Sequence, residues 1–428
     1  MGDKMKQGSS NSDTKCPLPW IHTSIQTTGR VRSCCIAKEE IENNGKPLDV
    51  VNNSFGEIIS SSSMRRLRDN MRAGKKAPNC NTCWVDEKNN KISKRMYETK
   101  HANEIHSKID YDIEPTMFKD IQLGVGNICN LKCRTCSPFC STKWIKEHKD
   151  RIGEDSITFN NLTTSKHTIN SKFWEEFDEW SAVVGRLEIM GGEPFYMKEF
   201  EILIDRLIEN GSSKHITIAM SSNGTIYKEE LVNKILENFK FLGIQFSIDG
   251  FGDHFDYLRH GNSWFNVADN LDKFHHLFAT HPNFFMGITI TLSQINMFYI
   301  REMHQMIEET YPTASSCDAF FTKKSFQIFN NIVHYPRYYS SNCIPESIKE
   351  QYLDKIINPE NYGLPKWDID IYNSQIAPLV NHVRTPSTDE DWNAFVKETT
   401  QADAYRHEIF SETFPELWEL FKYNWSEK

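Results

Sequence analysis

Six short apolar runs punctuate the chain between residues 121 and 332, at 121–125, 187–190, 216–220, 244–248, 286–292 and 326–332. Each is rich in branched or aromatic residues and bounded by Gly, Pro or Asn, the pattern of β-strands. Between several of them, apolar residues recur at helical spacing. Phe200, Leu203, Ile204 and Leu207 share one face, and Val267, Leu271 and Phe274 share another. Strand alternating with helix predicts an α/β fold: a parallel sheet with helical crossovers. In barrels of this kind the functional groups sit at the C-terminal ends of the strands, so the segment just after each run is where chemistry is expected.

The flanks read differently. An apolar stretch from Cys16 to Ile25, a turn at Thr28 and Gly29, and a short strand at Val31 predict a hairpin that brings Cys16 and Cys34 together. Ile58, Met64, Leu67 and Met71 predict one helix over 57–72, ended by Gly74. Residues 86–115 are mostly charged and read as a linker or a solvated helix. Beyond about residue 345 the texture changes again. Residues 358–378 look loop-like and aromatic, and 389–418 contain helical stretches that end at Pro415, Glu416 and Leu417. Such an extension is placed to close a barrel mouth and shape a pocket.

Composition narrows the partners. The chain has 428 residues, 39% hydrophobic and 25% charged, with a formal net charge of −9, enough for two or three domains. The acidic balance gives no support to a nucleic-acid partner or an anionic membrane held by charge. The first fifteen residues lack the apolar core of a signal peptide, and no run approaches a membrane span, so the expectation is a cytoplasmic protein with no membrane partner. Of the eleven cysteines, seven fall into two spaced sets, which in a reducing compartment read as metal ligands rather than disulfides.

Cys129, Cys133 and Cys136 lie within one tight loop after the first run. Thiolate selects iron-sulfur clusters, zinc or copper(I). Three sulfurs would leave a metal position open, whereas Cys140 as a fourth would close the site. Cys16, Cys34, Cys80 and Cys83 make a complete tetrahedral set, for which zinc and a cluster fit equally by residue type. Cys317 and Cys343 are isolated and read as ordinary thiols.

The second run leads into Gly191, Gly192, Glu193 and Pro194. There the glycines would let a ligand approach the backbone, and backbone carbonyls and the Glu193 carboxylate would accept bonds from a charged amine; otherwise the segment is a plain turn. Ser222 and Asn223 end the third run, either as ligand contacts or as a helix cap. Ser247 and Asp249 end the fourth, followed by Arg259, whose planar fork suits a carboxylate. A turn residue and a surface ion pair are the plain alternatives for Asp249 and Arg259. His254, Tyr257 and His260 read as solvated loop residues without a role.

The stretch CNLKCRTC resembles the CxxxCxxC signature of the radical SAM superfamily, in which three cysteines hold a 4Fe-4S cluster and S-adenosyl-L-methionine chelates the fourth iron. Thr135 departs from the aromatic residue usual there, so adenine stacking has no assigned residue. GGEP resembles the motif that holds the amino group of S-adenosylmethionine. Ser247, Asp249 and Arg259 resemble elements that approach its ribose and carboxylate. The resemblance implies a partial (β/α)6 TIM-like barrel and reductive cleavage to a 5'-deoxyadenosyl radical that takes a hydrogen atom from substrate. It also implies a one-electron reductant such as a flavodoxin or ferredoxin. Cys16, Gly29 and Cys34 resemble the spacing of SPASM and twitch modules, which favours Cys34 over Cys35 and an auxiliary iron-sulfur cluster, 2Fe-2S or 4Fe-4S, over zinc. Such modules usually follow the barrel; here the motif precedes it. The implied division is a twitch-like module at 1–110, a barrel at 111–345 and a mostly helical extension at 346–428. A peptide substrate leads, with a nucleotide, sugar or cofactor precursor, or a non-catalytic protein with two structural metal sites, as alternatives.

Overall fold

The computed structural model describes residues 14–88, 92–105, 109–153, 171–311, 314–315 and 326–425. Eleven short strands occur among them: β1 His22–Ile25, β2 Val31–Arg32, β3 Glu42–Asn43, β4 Lys46–Pro47, β5 Asp120–Gly124, β6 Arg186–Met190, β7 Thr217–Ser222, β8 Phe241–Ser247, β9 Phe284–Leu292, β10 Ala314–Ser315 and β11 Phe326–Ile332. Nine of these form one sheet in the order β10-β11-β9-β8-β7-β6-β5-β1-β2, while β3 and β4 pair separately. Every neighbouring pair in the large sheet is parallel except the β1–β2 hairpin. This is the expected α/β sheet, and all six predicted runs are strands in it. Among the described residues, no helix is long and apolar enough to cross a membrane.

The sheet has two chemically distinct faces because its side chains alternate. Ile121, Leu123, Leu187, Ile189, Ile244, Phe246, Ile288 and Ile290 are buried in the core. The helices that cover this face bury the predicted stripes: Phe200, Leu203, Ile204 and Leu207 from Lys198–Glu209, and Val267, Leu271 and Phe274 from Trp264–Thr280. Each fully buried Leu, Ile or Phe stabilises the fold by about 1.5–3 kcal/mol before entropy is counted. Gln122, Glu188, Gln245 and Thr289 alternate with the apolar set and belong to the opposite, concave face.

Three expectations change. The helix over 57–72 is two helices, Phe55–Ile59 and Ser62–Arg72. The first opens on a capping box between Ser54 and Glu57 and closes where the Ser60 hydroxyl donates to the Gly56 carbonyl at 2.6 Å, a serine bond that competes with helix propagation. The charged stretch 86–115 is not merely solvated, since helix Lys94–Ile105 follows a 1% exposed Ser93 and carries a 3% exposed Glu98. Residues 358–378 contain a π-helical turn, Tyr372–Ile376, leading into helix Ala377–Val383. The N-terminal hairpin forms as predicted and also joins the barrel sheet, β1 pairing with β5 from His22↔Asp120 to Ile25↔Leu123.

Candidate active site

The chain from Gly124 to Cys140 leaves the end of β5 and is fixed by its neighbours. Lys132 N donates to His260 O at 2.9 Å, Arg134 N to Leu258 O at 2.8 Å and Cys136 N to Cys133 O at 3.0 Å. Asn223 Nδ2 lies 3.8 Å from Cys129 Sγ, and Arg259 Nη1 lies 3.8 Å from Cys133 Sγ. Donors aimed at sulfur suit thiolate ligands. Burial pushes the Cys129 thiol up to about 12, with Cys133 adding to the effect. Cys140 lies against Cys136, and that hydrogen bond holds its thiol down at about 7. Among the described residues, no three Cys, His, Asp or Glu side chains form a set able to hold a single metal ion.

The glycines of GGEP serve the protein itself. A Cβ on Gly191 would stand 2.1 Å from Gly126 O, and one on Gly192 would stand 2.0 Å from Ile128 O. Gly191 also has φ +92°, which disfavours any side chain. The close approach expected of a ligand is thus made by the cysteine loop's own backbone, sealed by Glu193 N donating to Ile128 O at 2.9 Å. The Glu193 carboxylate, 1% exposed, accepts from Phe195 N at 3.2 Å, Ser222 Oγ at 2.9 Å and Asn223 N at 2.7 Å. Burial raises it to about 7 against those bonds. Asn223 Oδ1 accepts from Thr225 N at 3.0 Å, and its Nδ2 reaches Asn130 Oδ1 at 2.9 Å.

Asp249 and Arg259 are neither a bare turn residue nor a surface pair. They are 3% and 7% exposed, with Arg259 Nε and Nη2 at 2.9 and 2.8 Å from Asp249 Oδ2. Asp249 Oδ1 accepts from Thr291 N at 2.8 Å. Asn296 Nδ2 reaches Asp249 O at 3.0 Å, joining the ends of β8 and β9. Ser247 ends β8 opposite Thr289.

Cys16, Cys34, Cys80 and Cys83 line one small cavity, walled by Leu18, Leu67 and Met71. Burial raises Cys34 and Cys80 to about 12. Cys35 faces elsewhere: it senses the charges of Lys94, Glu188 and Glu98 and hydrogen-bonds Gln122 on the concave face.

The C-terminal extension grips the first cysteine loop. Arg134, between Cys133 and Thr135, is buried against Asp403 and Glu408, with its guanidinium 3.6 Å above the Tyr257 ring centroid. Arg406 Nε reaches the two oxygens of buried Glu147 at 3.2 and 3.0 Å, Lys132 bonds the same carboxylate at 2.8 Å, and Trp144 Nε1 donates to Cys133 O at 3.0 Å. His254, Tyr257 and His260 are therefore not idle loop residues. Tyr257 Oη donates to Asp403 at 2.7 Å, His260 pairs with Glu408 at 2.5 Å, and the His254 ring sits 4.6 Å from that of Phe414. Cys343 is a buried free thiol, while Cys317 lies outside the described residues.

A cavity of about 770 Å³ occupies the concave face. Glu188, Gln245 and Thr289 form its sheet wall, Ser93, Lys94 and Glu98 a second wall, and Asn373, Ser374 and Gln375 of the π-helical turn a third. Lys94 also lines the second cysteine cavity, so the two spaces adjoin. Sequence reading missed these cavity residues. The signal was present: Gln122, then Arg186 and Glu188, then Gln245 and Ser247 alternate with apolar residues in IQLGV, RLEIM and GIQFS, which marks strands whose second face is not in the core.

A family model described as the radical SAM superfamily matches residues 123–301, and one described as an iron-sulfur cluster-binding domain, SPASM, matches residues 16–84. No curated protein matches the chain in sequence. Solved structures similar to it include native anSMEcpe with bound AdoMet and Kp18Cys peptide, at 16% identity and TM-score 0.35, covering 57% of this chain and 61% of that one. Streptococcus suis SuiB bound to S-adenosylmethionine is similar at 13% identity and TM-score 0.33, covering 83% of this chain and 74% of that one. SuiB bound to precursor peptide SuiA is similar at 12% identity and TM-score 0.30, covering 93% and 74%. The match thus spans 61% of the length of the anSMEcpe chain. The radical SAM match falls on the first cysteine set and the SPASM match on the second, so the chain carries a radical SAM domain with an iron-sulfur cluster-binding SPASM domain ahead of it.

Proposed function

We propose that this chain is a radical SAM enzyme acting on a peptide substrate held in the concave cavity. The observation that carries the reading is the placement of a three-cysteine loop, buttressed from four sides, at the strand ends of a barrel whose interior face is polar and hollow. Cys129, Cys133 and Cys136 would hold a 4Fe-4S cluster, and Cys16, Cys34, Cys80 and Cys83 an auxiliary iron-sulfur cluster. Fit is supported by donor chemistry: sulfur-only sets, with Asn223 and Arg259 as N–H donors beside the first. When bound, the first cluster and S-adenosylmethionine supply a 5'-deoxyadenosyl radical that abstracts a substrate hydrogen atom.

The chain's own residues would orient and shield that chemistry. Gly191, Gly192, Glu193 and Pro194 lock the second strand end onto the cysteine loop, and the Glu193 carboxylate would supply negative charge for the cofactor's ammonium. Ser222 and Asn223 fix Glu193, and Ser247, Asp249 and Arg259 form the next wall of the cofactor site. The extension contributes Asn373 to Gln375 as the third wall of the cavity, which limits the approach of water from that side. Cys34 is preferred over Cys35 as auxiliary ligand because it lines the cavity shared by Cys16, Cys80 and Cys83. The domain division at about residues 110 and 345 is retained as part of this reading, with β1 of the first module built into the barrel sheet.

The test is anaerobic reconstitution with iron and sulfide, then reductant and S-adenosylmethionine. 5'-Deoxyadenosine should form with the wild-type chain and not with Cys133→Ala; its absence from a wild-type sample with both clusters loaded would overturn the reading.

A further inference from the structure

The charges around the concave cavity do not balance, and the imbalance has an address. Lys94 Nζ pairs with Glu98 Oε1 at 3.0 Å, and Arg186 Nε bonds Asp120 Oδ2 at 3.0 Å while its Nη2 reaches Glu98 Oε2 at 3.2 Å. The two cations are thereby matched by two carboxylates. Glu188, on the sheet wall and partly buried, lies in the fields of Lys94 and Arg186 but makes no hydrogen bond or ion pair with either, or with any other described residue. A carboxylate left over beside a hollow favours a cation or an N–H donor from outside.

Across the wall stands a complementary group. Gln245 is 7% exposed, and its Nε2 has no hydrogen-bond partner, whereas its Oε1 accepts from Thr289 Oγ1 at 3.3 Å. Its position depends on Gly287, where a Cβ would lie 2.8 Å from Gln245 Oε1. The amide is held by its oxygen, leaving a buried donor that lacks an acceptor. In the sheet register Glu188 faces Ala219, which faces Gly243, two residues before Gln245. Two strand spacings and two residues separate their Cα atoms by about 12 Å, over small residues that keep the space between them open.

We propose that Glu188 and Gln245 form the specificity subsite of the cavity and select a peptide residue with a positively charged side chain, Glu188 taking the cation and Gln245 Nε2 a backbone carbonyl. The subsite rests on the peptide reading above and narrows it. On the third wall Ser374 Oγ already donates to Asp370 O at 2.6 Å and Gln375 Oε1 accepts from Asn330 Nδ2 at 2.9 Å, which leaves Asn373 and the Gln375 amide N–H groups to suit the rest of a peptide backbone. The π-helical turn that presents them is a feature concentrated at functional sites.

The experiment measures binding, not turnover. Acetyl-Gly-Lys-Gly-amide, its norleucine analogue and its glutamate analogue are titrated into the full-length chain, loaded with clusters and S-adenosylmethionine, by calorimetry or saturation-transfer NMR. The lysine peptide should bind about tenfold more tightly than the norleucine peptide, the scale of one charge-assisted contact. Glu188→Gln should erase that ratio, and Gln245→Leu should weaken all three peptides alike. Gln245→Ala, which removes the amide and adds no bulk against the neighbouring strands, should reproduce the Gln245→Leu pattern if the leucine variant misfolds. A lysine preference that survives Glu188→Gln, a glutamate or norleucine peptide that binds as well as lysine, or no binding of any peptide would overturn the proposal. Failure here with 5'-deoxyadenosine still formed by wild type rejects the subsite alone, while failure to form 5'-deoxyadenosine rejects the enzyme reading.

Discussion

Replacing Arg134 with Met should loosen the three-cysteine loop by an amount the structure lets us bound. The guanidinium is fully buried, faces Asp403 and Glu408, and stacks on Tyr257. Removing one partner of a buried ion pair costs about 3–5 kcal/mol because the other charge is left uncompensated. The two carboxylates are 14% and 16% exposed and keep other donors, with Tyr257 Oη at 2.7 Å and Phe410 N at 2.8 Å on Asp403 and His260 at 2.5 Å on Glu408. These residual bonds put the cost near the lower bound, about 3 kcal/mol, with the lost cation–π stacking partly replaced by a methionine–aromatic contact. The sensitive assay is amide hydrogen exchange by mass spectrometry over 129–136, since a chain of 428 residues need not unfold in one step. A loss of about 3 kcal/mol corresponds to exchange about 100-fold faster. Adding Asp403→Asn and Glu408→Gln to Arg134→Met removes the orphaned charges and should restore much of the protection. Exchange in Arg134→Met within about threefold of wild type, or a triple variant worse than the single one, would refute the clamp.

Acid should weaken the same clamp: burial raises Glu408, but the His260 and Arg134 bonds outweigh it and hold the carboxyl below its usual range. Its stabilisation is therefore complete above the ordinary glutamate value of about 4.3 and is lost as pH falls through the lower folded value, readable as accelerating exchange in the loop. Gly192→Ala places a Cβ 2.0 Å from Ile128 O and should cost the first site its iron, while iron at the N-terminal set, measured in a Cys129→Ala background, stays unchanged. Cys34→Ala should lower auxiliary iron content and Cys35→Ala should not; the reverse result would move the ligand to Cys35. Affinity for S-adenosylmethionine should rise as pH increases through about 7, where Glu193 ionises, by at most about tenfold per unit, and Glu193→Gln should flatten that profile in equilibrium dialysis.

Sequence patterning located the barrel because strand and helix periods are local properties. Ile121, Leu187, Ile244 and Phe200 announce their faces within a few residues of chain, and the structure buries each of them. Cysteine spacing likewise survives as a local signal when ligands share one loop. What stayed hidden depends on pairs far apart in sequence. Arg134 and Glu408 are 274 residues apart, and nothing in either segment shows that they meet. Tyr257 and His260 therefore read as solvated loop residues until Asp403, in helix Asp389–Arg406, and Glu408 just beyond it arrive to pair with them.

GGEP illustrates a subtler limit. A glycine pair at a strand end demands close approach by something, and sequence does not say whether that is a ligand or another loop. Here it is Gly126 and Ile128, so these glycines set the distance between the end of β6 and the cysteine loop from inside the protein. The same logic governs Gly287, where the space of a Cβ is taken by the Gln245 amide and the Gln327 carbonyl of the next strand. At Gly192 and Gly287, whose backbone lies outside the left-handed region, a small residue fixes where a neighbour stands, and glycine-to-alanine substitution there probes position rather than backbone flexibility. A cavity wall built this way is tuned by residues that never touch the substrate, and changes in specificity should trace to Gly287 as readily as to Gln245 itself.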